Sequence, residues 1–399
     1  MKIIEINSVA YGSTGNIIFN LYKEFTNLNI KLYLFVGHNK GINKNFIRIG
    51  NRLSNLSSII MTYLGFDGSG AYFATKKLIK KIRKINPDVI HLHNIHGYYV
   101  NYKLLFEFLA HEYEGKIIWT LHDCWAFTGH CSHFDAVNCQ KWQKKCCNCK
   151  LYNDYPKSFF DDSNRLYFSK KNMFTSIDSN RMILVTPSPW LMEKVKLSFL
   201  NKYDVEIINN GLNTEIFKSY DNNILKKEIN VKNKKMILHV TPEFSDDINH
   251  VKGGYYLIKL AEKLKKQDII IVVIGNNKCQ SKVPDNIIFL GKIEDSELLA
   301  KYYSLADLFV LTSKRETFSM TTAESLACGT PVVGFKSGAP EQIAISEYSD
   351  FVEFGDVEEL YNKIIIWLNK GKDKNIEKVA KHKYSRQHMA EEYLKLFNE

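Results

Sequence analysis

The chain has 399 residues, of which 45% are hydrophobic, 24% charged and 13% aromatic. This composition excludes a disordered protein, a collagen and a small disulfide-stabilised domain. The 54 Lys and Arg residues exceed the 43 Asp and Glu residues, and the net charge of +11 indicates an anionic partner. Nucleic acid, a lipid headgroup surface and a nucleotide diphosphate all fit that charge.

Short runs rich in β-branched residues alternate with longer amphipathic stretches along the whole chain. This alternation is typical of a parallel sheet with crossover helices, so the sequence predicts an α/β fold. The predicted strands of the first half are Lys2–Ile6, Lys31–Val36, Val89–His93, Ile117–Leu121, Ile183–Thr186 and Val205–Asn209. Those of the second half are Met236–Val240, Ile269–Gly275, Ile287–Leu290, Leu308–Thr312, Val332–Phe335 and Phe351–Glu353.

Two domains are expected, because a single hydrophobic core stops growing near roughly 250 to 300 residues. Gly211, Leu212 and Asn213 precede a polar, lysine-bearing segment, 218–235, whose composition suits a linker. We therefore place the first domain at 1–211, the second at 212–383 and a final helical segment at 384–399.

The N-terminal residues do not resemble a signal peptide, since Glu5 and Asn7 interrupt the apolar run that begins at Ile3. No stretch approaches the roughly 18 apolar residues that a membrane-spanning helix needs. We therefore expect a cytoplasmic protein, whose eight cysteines are thiols or metal ligands rather than disulfides.

A glycine-containing turn, from Gly12 to Gly15, follows the first predicted strand and opens a helical pattern. Such a turn lets backbone N–H groups approach a phosphate or a sugar. The same turn also occurs in α/β proteins for packing alone, and its spacing is not the G-x-G-x-x-G of a dinucleotide site. Gly12 and Gly15 are therefore candidates for ligand contact, with a packing role as the alternative.

The segment Thr75–Ile85 predicts an amphipathic helix in which Leu78, Ile82 and Ile85 share a face and six basic residues surround them. Such a helix can lie on an anionic membrane with its lysines in the headgroup layer. It can equally be a crossover helix with a solvated basic flank, and the two interpretations are compatible.

Polar residues follow two predicted strands of the first half, His93 and Asn94 after one and His122 and Asp123 after the other. In open α/β sheets, ligands bind at the carboxyl ends of the strands. We therefore expect these side chains to face a ligand, although a histidine that ends a strand can also be a hydrogen-bonded structural residue.

Six of the eight cysteines lie within an insertion at 122–150, interleaved with histidine and tryptophan. Cys146-x-x-Cys149 has the spacing of a zinc-ligand pair, and a tetrahedral zinc site needs four such groups. The candidate ligands are Cys131, Cys139, Cys146 and Cys149. Because the other spacings match no familiar zinc finger, packed thiols and a redox or acceptor-recognising role are alternatives to a structural zinc.

The densest signal is the run from Ser313 to Glu341, which contains two carboxylates, Glu316 and Glu324. Glu316 follows a strand, and Glu324 lies about two turns into the next helix. Carboxylates can accept paired hydrogen bonds from vicinal hydroxyls, and the N–H groups of Thr317, Phe318 and Ser319 can face a phosphate. The alternative is a pair of surface glutamates that the helix dipole favours.

This run closely resembles the carboxyl half of the retaining glycosyltransferases of family four, the group-one glycosyl transferases. Further similarities are Asn209–Phe217, Lys252-Gly253 and the final helix from Tyr384. The resemblance implies the GT-B fold, with two facing Rossmann-like domains, an interdomain cleft and a C-terminal helix that crosses back onto the first domain. The first domain would be on the acceptor side, and the second would bind the nucleotide-sugar.

By this resemblance, Glu316 contacts hydroxyls of the donor sugar, Glu324 the ribose and Lys252 the diphosphate. His122 inherits a catalytic role next to the donor sugar, while His93, Asn94 and Asp123 become candidates on the acceptor side. The family usually adds an arginine a few residues before the lysine, and none stands between Thr241 and Lys252. His250 and Arg315 are the candidates to replace it.

The expected activity is transfer of a sugar, with retention, from a nucleotide-diphosphate-sugar to a polyprenyl-diphosphate-linked or oligosaccharide acceptor in the synthesis of O-antigen, capsule or exopolysaccharide. We expect no cofactor for catalysis, since no Asp-x-Asp stands in a suitable loop, and no nucleic-acid partner. The expected location is the inner face of the cytoplasmic membrane, as a peripheral protein. The alternatives are a nucleotide-sugar epimerase of the same fold and a basic nucleic-acid-binding protein with a Cys/His metal module.

Overall fold

The computed structural model describes residues 1–39, 45–221, 225 and 234–399. The chain forms two compact units, the first from Met1–Asn209 with Met389–Glu399 and the second from Asn210–His388. The observed boundary lies between Asn209 and Asn210. The predicted boundary, between residues 211 and 212, lies two residues further along the chain. Most of the predicted linker, 218–235, lies outside the described residues.

Within its described residues, the first unit contains a parallel sheet of seven strands in the order β3-β2-β1-β4-β5-β6-β7. The strands are β1 Lys2–Val9, β2 Lys31–His38, β3 Phe46–Arg48, β4 Val89–Leu92, β5 Lys116–Thr120, β6 Met182–Thr186 and β7 Val205–Ile207. The helices are Gly12–Asn27, Arg52–Tyr63, Tyr72–Ile85, Tyr102–His111, Ser163–Phe174 and Pro189–Lys196, with Arg386–Asn398 at the C-terminus.

The second unit contains, in the part of it that is described, a parallel sheet of six strands in the order β10-β9-β8-β11-β12-β13. The strands are β8 Lys235–Phe244, β9 Ile269–Asn277, β10 Ile287–Gly291, β11 Leu308–Leu311, β12 Val332–Phe335 and β13 Ser349–Val352. The helices are Gly254–Leu264, Ser296–Leu305, Met320–Ala327, Pro340–Ile343, Val357–Lys370 and Ile376–Tyr384.

Each predicted strand overlaps an observed one, and the additional strand is β3. Its three residues are too few to show a period-two pattern in the sequence. Strands that are buried on both faces read as continuous apolar runs, which is why the remaining strands could be predicted. In β1, for example, Ile4 and Ile6 belong to one core cluster, whereas Ile3 belongs to another on the opposite face.

The C-terminal residues Met389–Glu399 complete the core of the first unit. Met389, Tyr393 and Phe397 are buried in one cluster with Ile3 and Ile118. This segment therefore covers the face of the sheet to which the odd-numbered side chains of β1 point. In the described residues, no helix is both long and apolar enough to cross a membrane.

Candidate active site

In the second unit, two loops that follow β8 and β11 are held side by side. Thr312 Oγ1 donates to the carbonyl of Lys252 at 3.1 Å, and Lys314 N–H donates to the carbonyl of Val251 at 2.8 Å. Gly253 has φ +67°, and a Cβ there would lie 1.9 Å from the Thr312 carbonyl oxygen. Glycine is required at this position because the two backbones approach too closely for any side chain.

Glu316 lies where three loops meet. Its N–H donates to Ser337 O at 2.8 Å, and its carbonyl accepts from Ala339 N–H at 3.2 Å. Its Oε1 lies 2.6 Å from Lys252 Nζ, and the two side chains are 18% and 26% exposed, respectively. The predicted donor-site residues Lys252 and Glu316 are thus in contact and remain accessible to a ligand. We call this pair the Lys252–Glu316 site.

The helix Met320–Ala327 begins beside this pair. Ser319 has φ +78°, and its hydroxyl accepts from Thr322 N–H at 3.4 Å, which caps the helix. Phe318 is 3% exposed and belongs to the core of the second unit. The backbone at Thr317–Ser319 is therefore anchored by the buried Phe318 ring and by the capping hydroxyl.

Glu324 lies within this helix and is partly buried. The buried Tyr303 hydroxyl donates to its Oε2 at 3.0 Å. Burial raises the pKa of Glu324 to about 7, and the Tyr303 hydrogen bond opposes that rise. Tyr303 is a residue that the sequence did not single out, and it holds one carboxylate oxygen in place while Oε1 can accept other hydroxyls.

The two candidates for the second cation differ in their contacts. His250 Nε2 lies 3.5 Å from Glu243 Oε1. The Nη1 of Arg315 is buried and has no hydrogen-bond partner among the described residues. The buried Nδ1 of His250 also has no hydrogen-bond partner in that part of the chain. Arg315 is the better candidate for an incoming diphosphate, because a guanidinium is always charged and can bind two phosphate oxygens, whereas His250 lies beside a carboxylate.

In the first unit, β1, β4 and β5 are in register, so that Glu5 is paired with His91 and His91 with Ile118. Side chains alternate along strands. One face of the sheet therefore collects a set of polar groups that we call the buried histidine network, formed by Glu5, His91, His93, Thr120, His122 and Tyr393.

Both oxygens of Glu5 are used within this network. His91 Nδ1 lies 3.0 Å from Oε1, and His93 Nε2 lies 2.6 Å from Oε2. Burial alone would raise the pKa of Glu5, but the contacts with the two histidines lower it to about 2. Burial lowers the pKa of His93 to about 4. Glu5 is therefore a carboxylate and His93 a neutral imidazole near pH 7.

The predicted acceptor-side residues have varied surroundings. His93 is 1% exposed, and Asn94 N–H donates to Asn7 Oδ1 at 3.3 Å. Asp123 Oδ2 lies 2.9 Å from His96 Nε2. Burial would raise the pKa of Asp123, yet the contacts with His96 hold it at about 2.

Different structural constraints explain why glycine stands at positions 12 and 15 of the first turn. Gly12 has φ +68° and open space around the position of a Cβ, whereas a Cβ on Gly15 would lie 2.5 Å from the carbonyl carbon of Ala10. Gly15 is therefore explained by close packing of the helix Gly12–Asn27, and Gly12 by its backbone conformation.

Residues 208–384 match the family model of the glycosyl transferases group 1. WcaC of Escherichia coli, named for colanic acid biosynthesis, is 22% identical over 357 residues, which are 86% of this chain and 85% of that protein. An uncharacterised 41.2 kDa protein from the cps region of Klebsiella pneumoniae is 23% identical and covers 88% of this chain, with 86% of its own length aligned.

Solved structures share the fold over the full length. Sucrose-phosphate synthase from Thermosynechococcus elongatus has a TM-score of 0.70 and 17% identity, covering 100% of this chain and 98% of that chain. Anabaena HepE in complex with UDP has a TM-score of 0.65 and 14% identity, covering 100% of both chains. Residues 208–384 of the chain therefore form a glycosyl transferases group 1 domain. The family resemblance and the GT-B fold that the sequence predicted are therefore confirmed.

The cysteine-rich insertion of this glycosyltransferase is held by aromatic packing. Trp142 is 1% exposed, and its ring lies 4.5 Å from that of Phe134 and 5.3 Å from that of Phe127. Gly129 N–H donates to Cys146 Sγ at 3.2 Å, and burial raises the pKa of Cys146 to about 12. Cys146 is therefore a packed, hydrogen-bonded thiol.

Of the alternatives for the cysteine cluster, structural zinc is not supported. Among the described residues, the metal-ligating side chains that converge within 4.8 Å are Glu5, His91 and His93, not three of the candidate cysteines. A hydrogen bond from Cys131 lowers the pKa of Cys149 to about 7, so these two thiols interact as a pair. The Glu5, His91 and His93 atoms satisfy one another by hydrogen bonds, which accounts for their convergence without a metal.

Sequence reasoning missed Glu5, His91, Thr120 and Tyr393. A signal was present, since Glu5 interrupts an apolar strand and His91 stands two residues before His93. Two polar residues with period-two spacing in a buried strand predict partners on the same face. The partners could not be named, because strand order and register bring them together.

Proposed function

We propose that this glycosyltransferase moves a sugar, with retention of configuration, from a nucleoside-diphosphate sugar to a polyprenyl-diphosphate-linked or oligosaccharide acceptor in the synthesis of a surface polysaccharide such as O-antigen, capsule or exopolysaccharide. The names of WcaC and of the cps-region protein support the polysaccharide, and the UDP complex of HepE supports the donor class. The proposal rests above all on the contact between Lys252 and Glu316.

The 2.6 Å contact between Lys252 and Glu316 is an ion pair that a donor can replace. A carboxylate accepts hydrogen bonds from sugar hydroxyls, and an ammonium group binds a diphosphate. Donor binding would exchange the internal pair for two ligand contacts, so that neither of the two partly buried charges is left without a partner. Glu316 then orients the sugar while Lys252 compensates the leaving group.

Arg315 supplies the second cationic contact with the diphosphate in this proposal. Its buried Nη1 has no partner within the described part of the chain, and a guanidinium is suited to binding two phosphate oxygens. His250 is less suitable because it lies beside the Glu243 carboxylate. Two cations and the N-terminus of the helix Met320–Ala327 can balance the diphosphate charge, so we propose that catalysis needs no divalent metal.

In the transfer step, the bond between the anomeric carbon and the diphosphate oxygen breaks, and a bond to the acceptor oxygen forms on the same face. The acceptor proton passes to the leaving diphosphate. Lys252 and Arg315 stabilise the negative charge of that group, while Glu316 and His122 accept hydrogen bonds from donor-sugar hydroxyls. Glu324 accepts from the ribose hydroxyls through the oxygen that Tyr303 does not occupy. Catalysis therefore depends on positioning and electrostatic stabilisation.

Peripheral association with the inner face of the cytoplasmic membrane is supported by a basic and apolar surface of the first unit. On the helix Tyr72–Ile85, Leu78 and Ile82 are buried, whereas the lysines are exposed. Leu53 and Phe73 are 74% and 78% exposed, and they line a cavity of about 500 Å³ together with Lys77. Such a surface combines apolar insertion with attraction to anionic headgroups.

A vesicle sedimentation assay tests this association. The protein should sediment with phosphatidylglycerol vesicles but not with phosphatidylcholine vesicles, and equal recovery with both contradicts the proposal.

A panel of nucleotide-sugars tests the enzymatic proposal. The correct donor should raise the unfolding midpoint, because it binds the folded state alone. With a polyprenyl-diphosphate-linked acceptor present, NMR of the product should show the anomeric configuration of the donor. An inverted product would contradict retention, and conversion of the sugar without an acceptor would indicate an epimerase instead.

A further inference from the structure

His122, the histidine to which the proposed function assigns a donor-sugar contact, is hydrogen-bonded to a buried pair behind it. His122 Nε2 lies 3.0 Å from His93 Nδ1, and His93 Nε2 lies 2.6 Å from Glu5 Oε2. The two imidazole rings are nearly parallel, with an angle of 10° between their planes. Glu5 has no exposed surface, so this chain of contacts ends at a carboxylate that water cannot reach.

The direction of each hydrogen bond follows from the chemistry of these groups. The Glu5 carboxylate only accepts, so His93 donates through Nε2–H. A neutral imidazole carries one N–H, and His93 Nδ1 is therefore an acceptor. The partner of that acceptor, His122 Nε2, must then carry the proton. In this tautomer the lone pair of the His122 ring is on Nδ1.

The far side of Glu5 is held in the same way. His91 Nδ1 lies 3.0 Å from Glu5 Oε1 and donates to it, because the carboxylate only accepts. His91 Nε2 lies 2.8 Å from Thr120 Oγ1. Thr120 Oγ1 in turn lies 2.8 Å from the Tyr393 hydroxyl oxygen. Glu5 is therefore held by a hydrogen bond on each of its two oxygens. With both oxygens occupied, the position of the carboxylate that accepts from His93 is fixed.

We propose that Glu5 and His93 are positioning residues that hold His122 as its Nε2–H tautomer, with Nδ1 presented as a hydrogen-bond acceptor for the donor sugar. This inference rests on the proposed function for the role of His122, but the tautomer itself does not depend on it. The carboxylate of Glu5 acts through His93 and touches no substrate. A metal ion held by Glu5, His91 and His93 is the alternative occupant of the same three side chains.

The direct test is ¹⁵N NMR of the whole protein with labelled histidine, with His122 assigned by the signal that disappears in His122→Gln. The expected spectrum shows a neutral His122 protonated on Nε2. In Glu5→Gln the amide must donate to one of its two histidines, so a change of the His122 signal towards the Nδ1–H form or a mixture is expected. A wild-type His122 protonated on Nδ1 overturns the proposal, and so does one equivalent of bound metal by mass spectrometry.

Kinetics separate positioning from general stability. Glu5→Gln should lower kcat by roughly tenfold to 10³-fold with little change in the donor KM. Glu24→Gln, the same change at another buried carboxylate of the first unit, should leave kcat near the wild-type value. In a His122→Gln background, Glu5→Gln should add no further loss, since both changes remove one function. A further tenfold loss there overturns the proposal.

The two proposals fail in different ways. If His122→Gln transfers sugar at the wild-type rate, the catalytic role of His122 is wrong, while the tautomer measured by NMR still decides the positioning claim. If Glu5→Gln does not fold, the wild-type spectrum and the metal analysis decide it alone.

Discussion

The polar groups of the two units are organised in opposite ways. In the first unit, Glu5, His91 and His93 are buried and bonded to one another. In the second unit, Lys252 and Glu316 are partly exposed, and the buried Nη1 of Arg315 has no partner in the described residues. The first arrangement is complete without a ligand, whereas the second leaves charge for a ligand to satisfy.

This difference indicates that the two units have different roles. A buried network with all its hydrogen bonds made is rigid, because any rearrangement would leave a polar group without a partner. A partly exposed ion pair is more easily exchanged for other contacts, because water partly screens it. We therefore expect the second unit to control ligand affinity and the first to control the orientation of a reacting group.

The largest expected effect is the loss of transfer in Glu316→Ala, by about 10³-fold or more, because the donor sugar loses its acceptor for hydroxyl hydrogen bonds. The matched control is Glu353→Ala, which removes an exposed glutamate of the same unit. Initial rates with the donor found in the panel measure both variants. Retained turnover in Glu316→Ala with an unchanged unfolding midpoint would contradict the ligand-binding role of the second unit.

A smaller effect is expected on the affinity for the nucleoside diphosphate. Lys252→Met and Arg315→Met should each weaken binding by roughly tenfold to a hundredfold, since each removes a charge-assisted hydrogen bond. His250→Gln should change the dissociation constant less than twofold. Isothermal titration calorimetry with UDP and GDP gives the constants. A stronger effect of His250→Gln than of Arg315→Met would show that His250 provides the second cation.

The smallest effect concerns acid stability. The pKa of His93 is lowered to about 4, so between pH 6.5 and 4 the unfolded chain binds a proton that the folded unit does not. Stability should therefore fall as the pH falls through that window. The pKa of Glu5 is about 2 in the folded protein, against an ordinary value of 4.5. The stability that Glu5 contributes is therefore lost only as the pH falls below about 4.5.

Calorimetry at several pH values measures this prediction. His93→Asn should lower the unfolding midpoint at pH 7 and flatten its dependence on pH between 6.5 and 4.5. His239→Asn is the matched control in the second unit, since burial also lowers the pKa of His239 to about 4. If His93→Asn leaves the slope unchanged, the network does not contribute to acid sensitivity.

Much of the second unit could be predicted from the sequence. Its strands are apolar runs, and Lys252, Glu316 and Glu324 lie in short segments whose residue types and spacing resemble those of a known family. Local patterns suffice there because the site follows strand ends that are adjacent in the sheet. The cysteines show the limit of spacing alone, which left structural zinc and packed thiols as alternatives. In the described residues, no three of the four candidate thiols lie within 4.8 Å of one another.

The sequence by itself determined the α/β class, most strand positions, the group 1 resemblance and the carboxylates and lysine of the second unit, because these depend on short-range periodicity and local motifs. Only the tertiary structure decided that Glu5, His93, His122 and Tyr393 form one network. These residues are separated by up to 388 positions in the chain, and strand register together with the C-terminal helix brings them onto one buried face. A net charge of +11 indicated an anionic partner, and the fold shows that, among the described residues, the buried Nη1 of Arg315 has no internal hydrogen-bond partner.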